Sequence, residues 1–195
     1  MDLKRFDQRI SVVVLTCNRA DELTTTLEHL LALPENPPIV VADNGSSDGT
    51  VALVRKRFPM VRVIECGGNL GAAGRNRAVA CVRTDYVAFC DDDTWWAPGS
   101  LEHAVQLLDA WPTVGVLSAR VAVGDDETTD PTCAAMRAAC RARAPCCMSR
   151  WTRPRPACWR SIRRSSSWPR RSADISRRRR VGHVNTSVTR DASRV

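Results

Sequence analysis

Apolar positions in this chain fall into short continuous runs separated by stretches of helical spacing. The run ISVVVLT over 10–16 is β-branched and unbroken, as expected of a strand buried on both faces. From Asp21, Leu23, Leu27, Leu30 and Leu31 recur at the spacing of one helix face, and Pro34, Pro37 and Pro38 end the pattern. IVVA over 39–42 predicts a second buried strand, and 51–58 a helix capped by Ser47 or Asp48. A third strand follows over 61–64, a helix over 72–82, a fourth strand over 86–90, a helix over 101–111 and a fifth strand over 114–123.

Strands alternating with helices of about ten residues predict an α/β domain with a mostly parallel sheet covered on both faces. Ligands in such sheets bind beyond the carboxyl ends of the strands. The polar clusters of this sequence fall at those ends, over 16–19, 43–48, 69–76 and 91–93. Four loops converging on one sheet edge define the expected site.

The triplet Asp91-Asp92-Asp93 carries the sharpest chemistry. Two carboxylates ~4 Å apart repel by roughly 1 kcal/mol in water and about 4 kcal/mol at an effective dielectric of 20. Three at a strand end therefore destabilise the fold unless a cation sits among them. Mg²⁺ and Mn²⁺ suit the position, since they take one or two carboxylates and complete their shell with phosphate oxygens. An isolated acidic triplet is usually a solvated loop; its place at the end of an apolar strand argues otherwise.

The other loops gain meaning from that one. Asp43 ends the second strand, where a carboxylate can accept hydrogen bonds from a base or ribose, although 43–50 also reads as a turn and helix cap. The segment NLGAAGRN over 69–76 lets backbone N–H groups approach a phosphate, and Arg75 adds a permanent cation. Gly71 and Gly74 equally suit close helix–sheet packing. No Gly-Lys-Ser/Thr follows and no G-x-G-x-x-G is present, which disfavours ATPase and dinucleotide-binding assignments. Thr16, Asn18 and Arg19 supply a hydroxyl, an amide and a guanidinium. Trp95 and Trp96 fit either core or a surface on which an acceptor stacks, while His29, His103 and His183 lack metal-ligand spacing.

These segments, in this order, resemble family 2 glycosyltransferases of the GT-A fold. The stretches that carry the likeness are SVVVLTCNRADELTTTLEHL, VVADNGSSDGT, NLGAAGRNRAVA and DYVAFCDDDTWWAPGSL, within roughly 10–120. The resemblance implies a Rossmann-like, mostly parallel sheet with flanking helices. It also implies inverting transfer of a sugar from a nucleoside-diphosphate donor to a glycan or lipid-linked acceptor. Its nucleotide-sugar-binding set here is Thr16, Asn18, Arg19, Asp43, Asn44, Gly45, Asp48, Asn69, Gly71, Arg75 and Asp92. Asp91 and Asp93 form the D-x-D pair for Mg²⁺ or Mn²⁺, and the catalytic base, which the family carries in its C-terminal half, is not identifiable. A sugar-nucleotidyltransferase is the alternative enzyme reading, although the loop after the first strand lacks that class's glycines.

Charge divides the chain. The net +8 arises from a net −7 over 1–130 and +15 over 131–195. The nine cysteines form no C-x-x-C pair, and no export signal or 18-residue apolar run is apparent. Both points lead to the expectation of a reducing, cytoplasmic setting, with contact at the inner membrane face where acceptors are lipid-linked.

The segment 131–195 holds 17 Arg, no Lys, no Leu and no Phe. It is expected to be a low-order Arg-rich tail after an incomplete nucleotide-sugar-binding domain over 1–130. A selected basic tail would give a non-catalytic, anion-binding module for nucleic acid or anionic membrane, but such tails usually mix Lys with Arg. Simultaneous enrichment in Arg, Ala, Pro, Ser, Cys and Trp points instead to translation out of frame from a GC-rich gene, starting within 131–150. Nucleic acid is accordingly not an expected partner. Sequencing the coding DNA across 120–195 and translating all three frames is expected to restore Leu-rich periodicity and a glycine–acidic stretch in another frame; their absence from every frame would establish the Arg-rich tail as genuine.

Overall fold

The structure, a computed structural model, describes residues 6–124, 128–142 and 187–190. The described residues fall into two compact units, one holding 6–119 with 187–190 and the other 120–124 with 128–142.

The first unit is built on a six-stranded sheet. Its strands are β1 (Ile10–Thr16), β2 (Ile39–Asp43), β3 (Arg62–Glu65), β4 (Tyr86–Asp91), β5 (Val116–Ser118) and, far along the chain, Ser187–Arg190. The order is β3-β2-β1-β4, then 187–190, then β5. The first four strands pair in parallel, and the segment 187–190 runs antiparallel to both of its neighbours. Helices α1 (Ala20–Leu31), α2 (Thr50–Arg57), α3 (Gly74–Val79) and α4 (Ser100–Ala110) connect and cover the strands.

Side-chain alternation along β1 explains the layering. Ile10, Val12 and Val14 face a core shared with Leu23, Leu27 and Leu30 of α1, Val54 of α2, and Leu101, Val105 and Leu108 of α4. Val13 faces the other way, into a smaller core with Val40, Ala42, Val87 and Ala78 of α3. A strand buried on both faces has no polar side to show, which is why 10–16 reads as a continuous apolar run.

The second unit contains a short antiparallel pair, β6 (Ala122–Val123) with β7 (Thr128–Thr129), and α5 (Pro131–Ala142). The single strand expected over 114–123 is therefore split into β5 and β6. The segment 131–195, expected to be low in order, contributes two elements among its described residues: α5, and the strand 187–190, hereafter β8. Asp130 explains α5, since its Oδ1 accepts from the N–H groups of Thr132 at 2.8 Å and Cys133 at 3.3 Å. Pro131 at the first helical position and an Ala-rich body complete a well-specified helix start. The rest of the expected tail lies outside the described residues.

Two further boundaries differ from expectation. The helix expected over 72–82 opens with a 3-10 turn at Gly71–Ala73 and is α-helical only over α3. At α2 the N-cap position belongs to Gly49, whose φ of 85° favours glycine, while Asp48 Oδ1 accepts the Thr50 N–H from one residue earlier. Leu27 is fully buried beneath β1. Leu27→Ala is expected to destabilise the first unit by about 2–5 kcal/mol, read as a lower urea midpoint at unchanged slope.

Candidate functional site

The register of the parallel strands brings three loop starts to one level, with Thr16 opposite Asp43 and Leu15 opposite Asp91. Beyond this edge lies a cleft of about 390 Å³. Leu15, Thr16, Cys17 and Arg19 line it from the first loop and Asn44 from the second. Asn69, Gly71 and Ala72 come from the third, and Asp91, Asp92 and Asp93 from the fourth.

Asp92 is the buried member of the acidic triplet. Its Oδ2 accepts from the Thr16 hydroxyl at 2.9 Å, and its carbonyl accepts from the Thr26 hydroxyl of α1 at 2.8 Å. Burial pushes its carboxyl above the ordinary aspartate range. The Thr16 bond and Arg19 oppose that rise, and repulsion from Asp93 and Asp91 adds to it. Asp91 and Asp93 are more open, with side chains 28% and 27% exposed.

Arginines pair with every member of the triplet. Arg19 Nη1 stands 3.0 Å from Asp92 Oδ1, and its Nη2 stands 3.2 Å from Asp93 Oδ2. Arg75 Nη2 donates to Asp91 Oδ1. Arg19 loses hydration in this position, but its acidic partners more than compensate and hold the guanidinium charged. Thr94 fixes the turn by accepting the Asp91 N–H at 3.1 Å. Cys90, directly behind, is buried and bonds the Thr94 carbonyl at 2.8 Å, with its thiol pushed up to about 12 by burial.

The second and third loops are fastened by short polar bonds. Asp43 Oδ2 accepts from Gly45 N at 3.1 Å and Ser46 N at 3.0 Å. Its Oδ1 is buried without a partner among the described residues. Asn44 donates from Nδ2 to the Gly71 carbonyl at 2.9 Å and lays its Oδ1 against Gly74. A Cβ at Gly74 would sit 2.2 Å from that oxygen, so only glycine fits there. Asn18, at φ 53°, accepts the Ser47 N–H at 2.7 Å and so ties the first loop to the second. Asn69 accepts the Gly71 N–H at 2.9 Å.

Of the residues singled out in the sequence, Thr16, Arg19, Asn44, Asn69, Gly71, Asp91, Asp92 and Asp93 meet at the cleft. Arg75 reaches it through Asp91. Asn18, Asp43 and Gly45 shape the adjoining loops, and the Gly45 backbone, at φ 79°, passes so close to Gly68 that a Cβ would stand 2.8 Å from Gly68 Cα. Asp48 is turned to α2, where the Thr50 hydroxyl and amide hold its carboxyl below the ordinary range. Leu15, at the end of β1, lines the cleft as well, and so do Cys17 and Ala72, which residue type alone does not mark. Their signal was position alone, within loops already marked by more polar neighbours.

The tryptophans part company. Trp96 is buried in the main core. Trp95 is exposed and stacks on His29, ring centroids 4.0 Å apart and planes 9° from parallel. His29 lies one turn of α1 beyond Thr26, whose hydroxyl bonds the Asp92 carbonyl, and Trp95 follows Asp93 by two residues.

The glycosyl transferase family 2 model matches residues 11–169. The N-acetylglucosaminyl-diphospho-decaprenol L-rhamnosyltransferase of Mycobacterium tuberculosis is 31% identical over 121 residues, covering 55% of this chain and 39% of the relative. The UDP-Glc:alpha-D-GlcNAc-diphosphoundecaprenol beta-1,3-glucosyltransferase WfaP of Escherichia coli is 26% identical over 105 residues, covering 51% and 41%. The chain thus spans about two fifths of the length of these relatives. Among solved structures, the mannosyltransferase PcManGT from Pyrobaculum calidifontis, in complex with GDP-Man and Mn²⁺, superposes with a TM-score of 0.52 at 30% identity, over 57% of this chain and 35% of that one. A matching family model over most of the sequence, on a parallel sheet with its polar loops gathered at one edge, places this chain in glycosyl transferase family 2.

Proposed function

We propose that this chain carries the nucleotide-sugar-binding half of an inverting glycosyltransferase assisted by Mg²⁺ or Mn²⁺. The observation that carries the reading is the cleft at the sheet edge, where the acidic triplet, Thr16, Arg19 and the 69–72 turn converge. Family membership favours this over a sugar-nucleotidyltransferase. The relatives named above support a sugar on a polyprenyl diphosphate as the acceptor, and with it a place at the cytoplasmic membrane face. Among the described residues no helix is long and apolar enough to cross a membrane.

The donor set fits a divalent ion. Asp91 and Asp93 offer hard oxygens at the open side of the cleft, and Asp92 is held back by Thr16. Among the described residues no three His, Cys, Asp or Glu side chains form a closed cage. A divalent ion held here would take one or two carboxylates and finish its shell on the substrate. When bound, such an ion supplies Lewis-acid stabilisation of the charge growing on the leaving diphosphate.

The chain's own residues do the rest. Asp43, with an unpartnered buried oxygen, is the acceptor for a nucleoside N–H or O–H, since an unmatched buried acceptor costs about 1–3 kcal/mol. Asn44 and Gly74 keep the 71–74 turn close to the sheet edge, and Arg19 and Arg75 supply cations for the diphosphate. Asp92 is a buried strut that ties the triplet to β1. The carboxylate base that inversion requires is the role that the cleft residues leave open.

Asp93→Ala is expected to weaken Mn²⁺-dependent binding of UDP, GDP or dTDP at least about tenfold in calorimetric titration. Unchanged metal-dependent affinity would remove Asp93 from the assignment. Asp92 gives a separate expectation. Its native pKa is raised, so its stabilising contribution is complete below the unfolded aspartate value and is lost as pH rises through the native one. Asp92→Asn keeps the acceptor for the Thr16 hydroxyl and removes the charge. Urea midpoints measured from about pH 4 to pH 8 should show that loss in the parent and not in the variant, with the variant the more stable at neutral pH.

A further inference from the structure

We infer that Arg19 and Arg75 are resident counter-ions of the cleft, and that they make entry of the divalent ion depend on entry of the nucleoside diphosphate. This rests on the reading of the cleft given above and concerns how that site is loaded.

Without a ligand, every carboxylate of the triplet is engaged by a guanidinium. Arg19 spans Asp92 and Asp93 at 3.0 and 3.2 Å, and Arg75 holds Asp91. Three carboxylates against two guanidiniums leave a single negative charge, much less than the triplet alone. A divalent ion arriving by itself must displace guanidinium from oxygens already satisfied, and Mg²⁺ in particular gives up water reluctantly. A diphosphate arriving by itself meets a cleft of its own sign.

Arriving together they exchange partners. Asp91 and Asp93 would hold the ion, and the freed guanidiniums would turn to phosphate oxygens, for which their planar fork is suited. No proton or electron moves, because a guanidinium stays charged throughout the accessible pH range. Geometry favours Arg75 as the more decisive partner: its side chain is 18% exposed against 41% for Arg19, so water compensates it less when Asp91 is taken away.

The test is Mn²⁺ binding followed by the free-ion EPR signal, on the full chain alone and with UDP, GDP or dTDP. Arg75→Gln is expected to bind Mn²⁺ alone about three- to fivefold more tightly than the parent, the worth of one partly exposed ion pair. With nucleoside diphosphate present the order reverses, and the variant binds Mn²⁺ more weakly than the parent. Arg77→Gln, the same charge change on an exposed position of the same helix, should leave both affinities where they were. If circular dichroism shows Arg75→Gln unfolded, Arg19→Gln serves for the same crossover. A parent that binds Mn²⁺ with nucleotide, with variants that show no gain for Mn²⁺ alone, overturns the exchange and leaves the assigned function standing. A parent that binds Mn²⁺ with none of the three diphosphates overturns both.

Discussion

Everything at the site depends on β1 being buried on both faces between two parallel partners. Residues 10–14 have no solvent face, so a slip of register by one residue would move each of them into the opposite core. The register is thereby fixed, and with it the alignment of Thr16 with Asp43 and of Leu15 with Asp91. Three loops must then start at one level. The hydroxyl of Thr16 meets the Asp92 carboxylate at 2.9 Å because the apolar residues beneath them fit only one way.

That geometry concentrates negative charge, and the remaining polar chemistry of the edge answers it. Asp92 is the most protected of the three acids and is held by a hydroxyl and a guanidinium together. Asp91 and Asp93 stay partly exposed and rely on two arginines, Arg19 at the start of α1 and Arg75 in α3. Arg19 stands at the N-cap position of α1, where its carbonyl accepts the Leu23 N–H at 3.0 Å, while its guanidinium spans from Glu22 of the first turn, at 3.9 Å, to Asp92 and Asp93 of the cleft. The first turn of that helix carries Asp21 and Glu22, which suit its positive end without a side-chain cap.

Much of this was legible in the residues. The strand at 10–16 and the start of the strand at 39 followed from β-branched apolar runs, and α1 from its leucine spacing. The acidic triplet marked the site because three charges at the end of an apolar strand need partners. Less legible was which side chains turn inward. Asp48 and Asn18 look like ligands by type and position, yet Asp48 bonds the start of α2 and Asn18 bonds the neighbouring loop; only the local backbone, with Gly49 and Asn18 at positive φ, decides this. The helix α5 was passed over for want of leucine, although Asp130, Pro131 and the alanines after them are a sound helix signal. The strand at 187–190 had no local signal strong enough to stand out from its Arg-rich surroundings, because its partners lie in β4 and β5.

The position of β8 also bears on how the molecule assembles. Its register on β4 sets Tyr86 opposite Arg190 and Phe89 opposite Ser187, residues separated by about half the chain. Pairings of such sequence separation form late, since a long loop must close before they return any free energy. During synthesis β4 has its β1 side paired early, while its other edge keeps unmatched N–H and C=O groups until residues 187–190 emerge. An open strand edge beside a finished parallel core is a template for a second chain. The nascent protein is therefore most exposed to misassembly just when the cleft at the carboxyl ends of its strands is already complete.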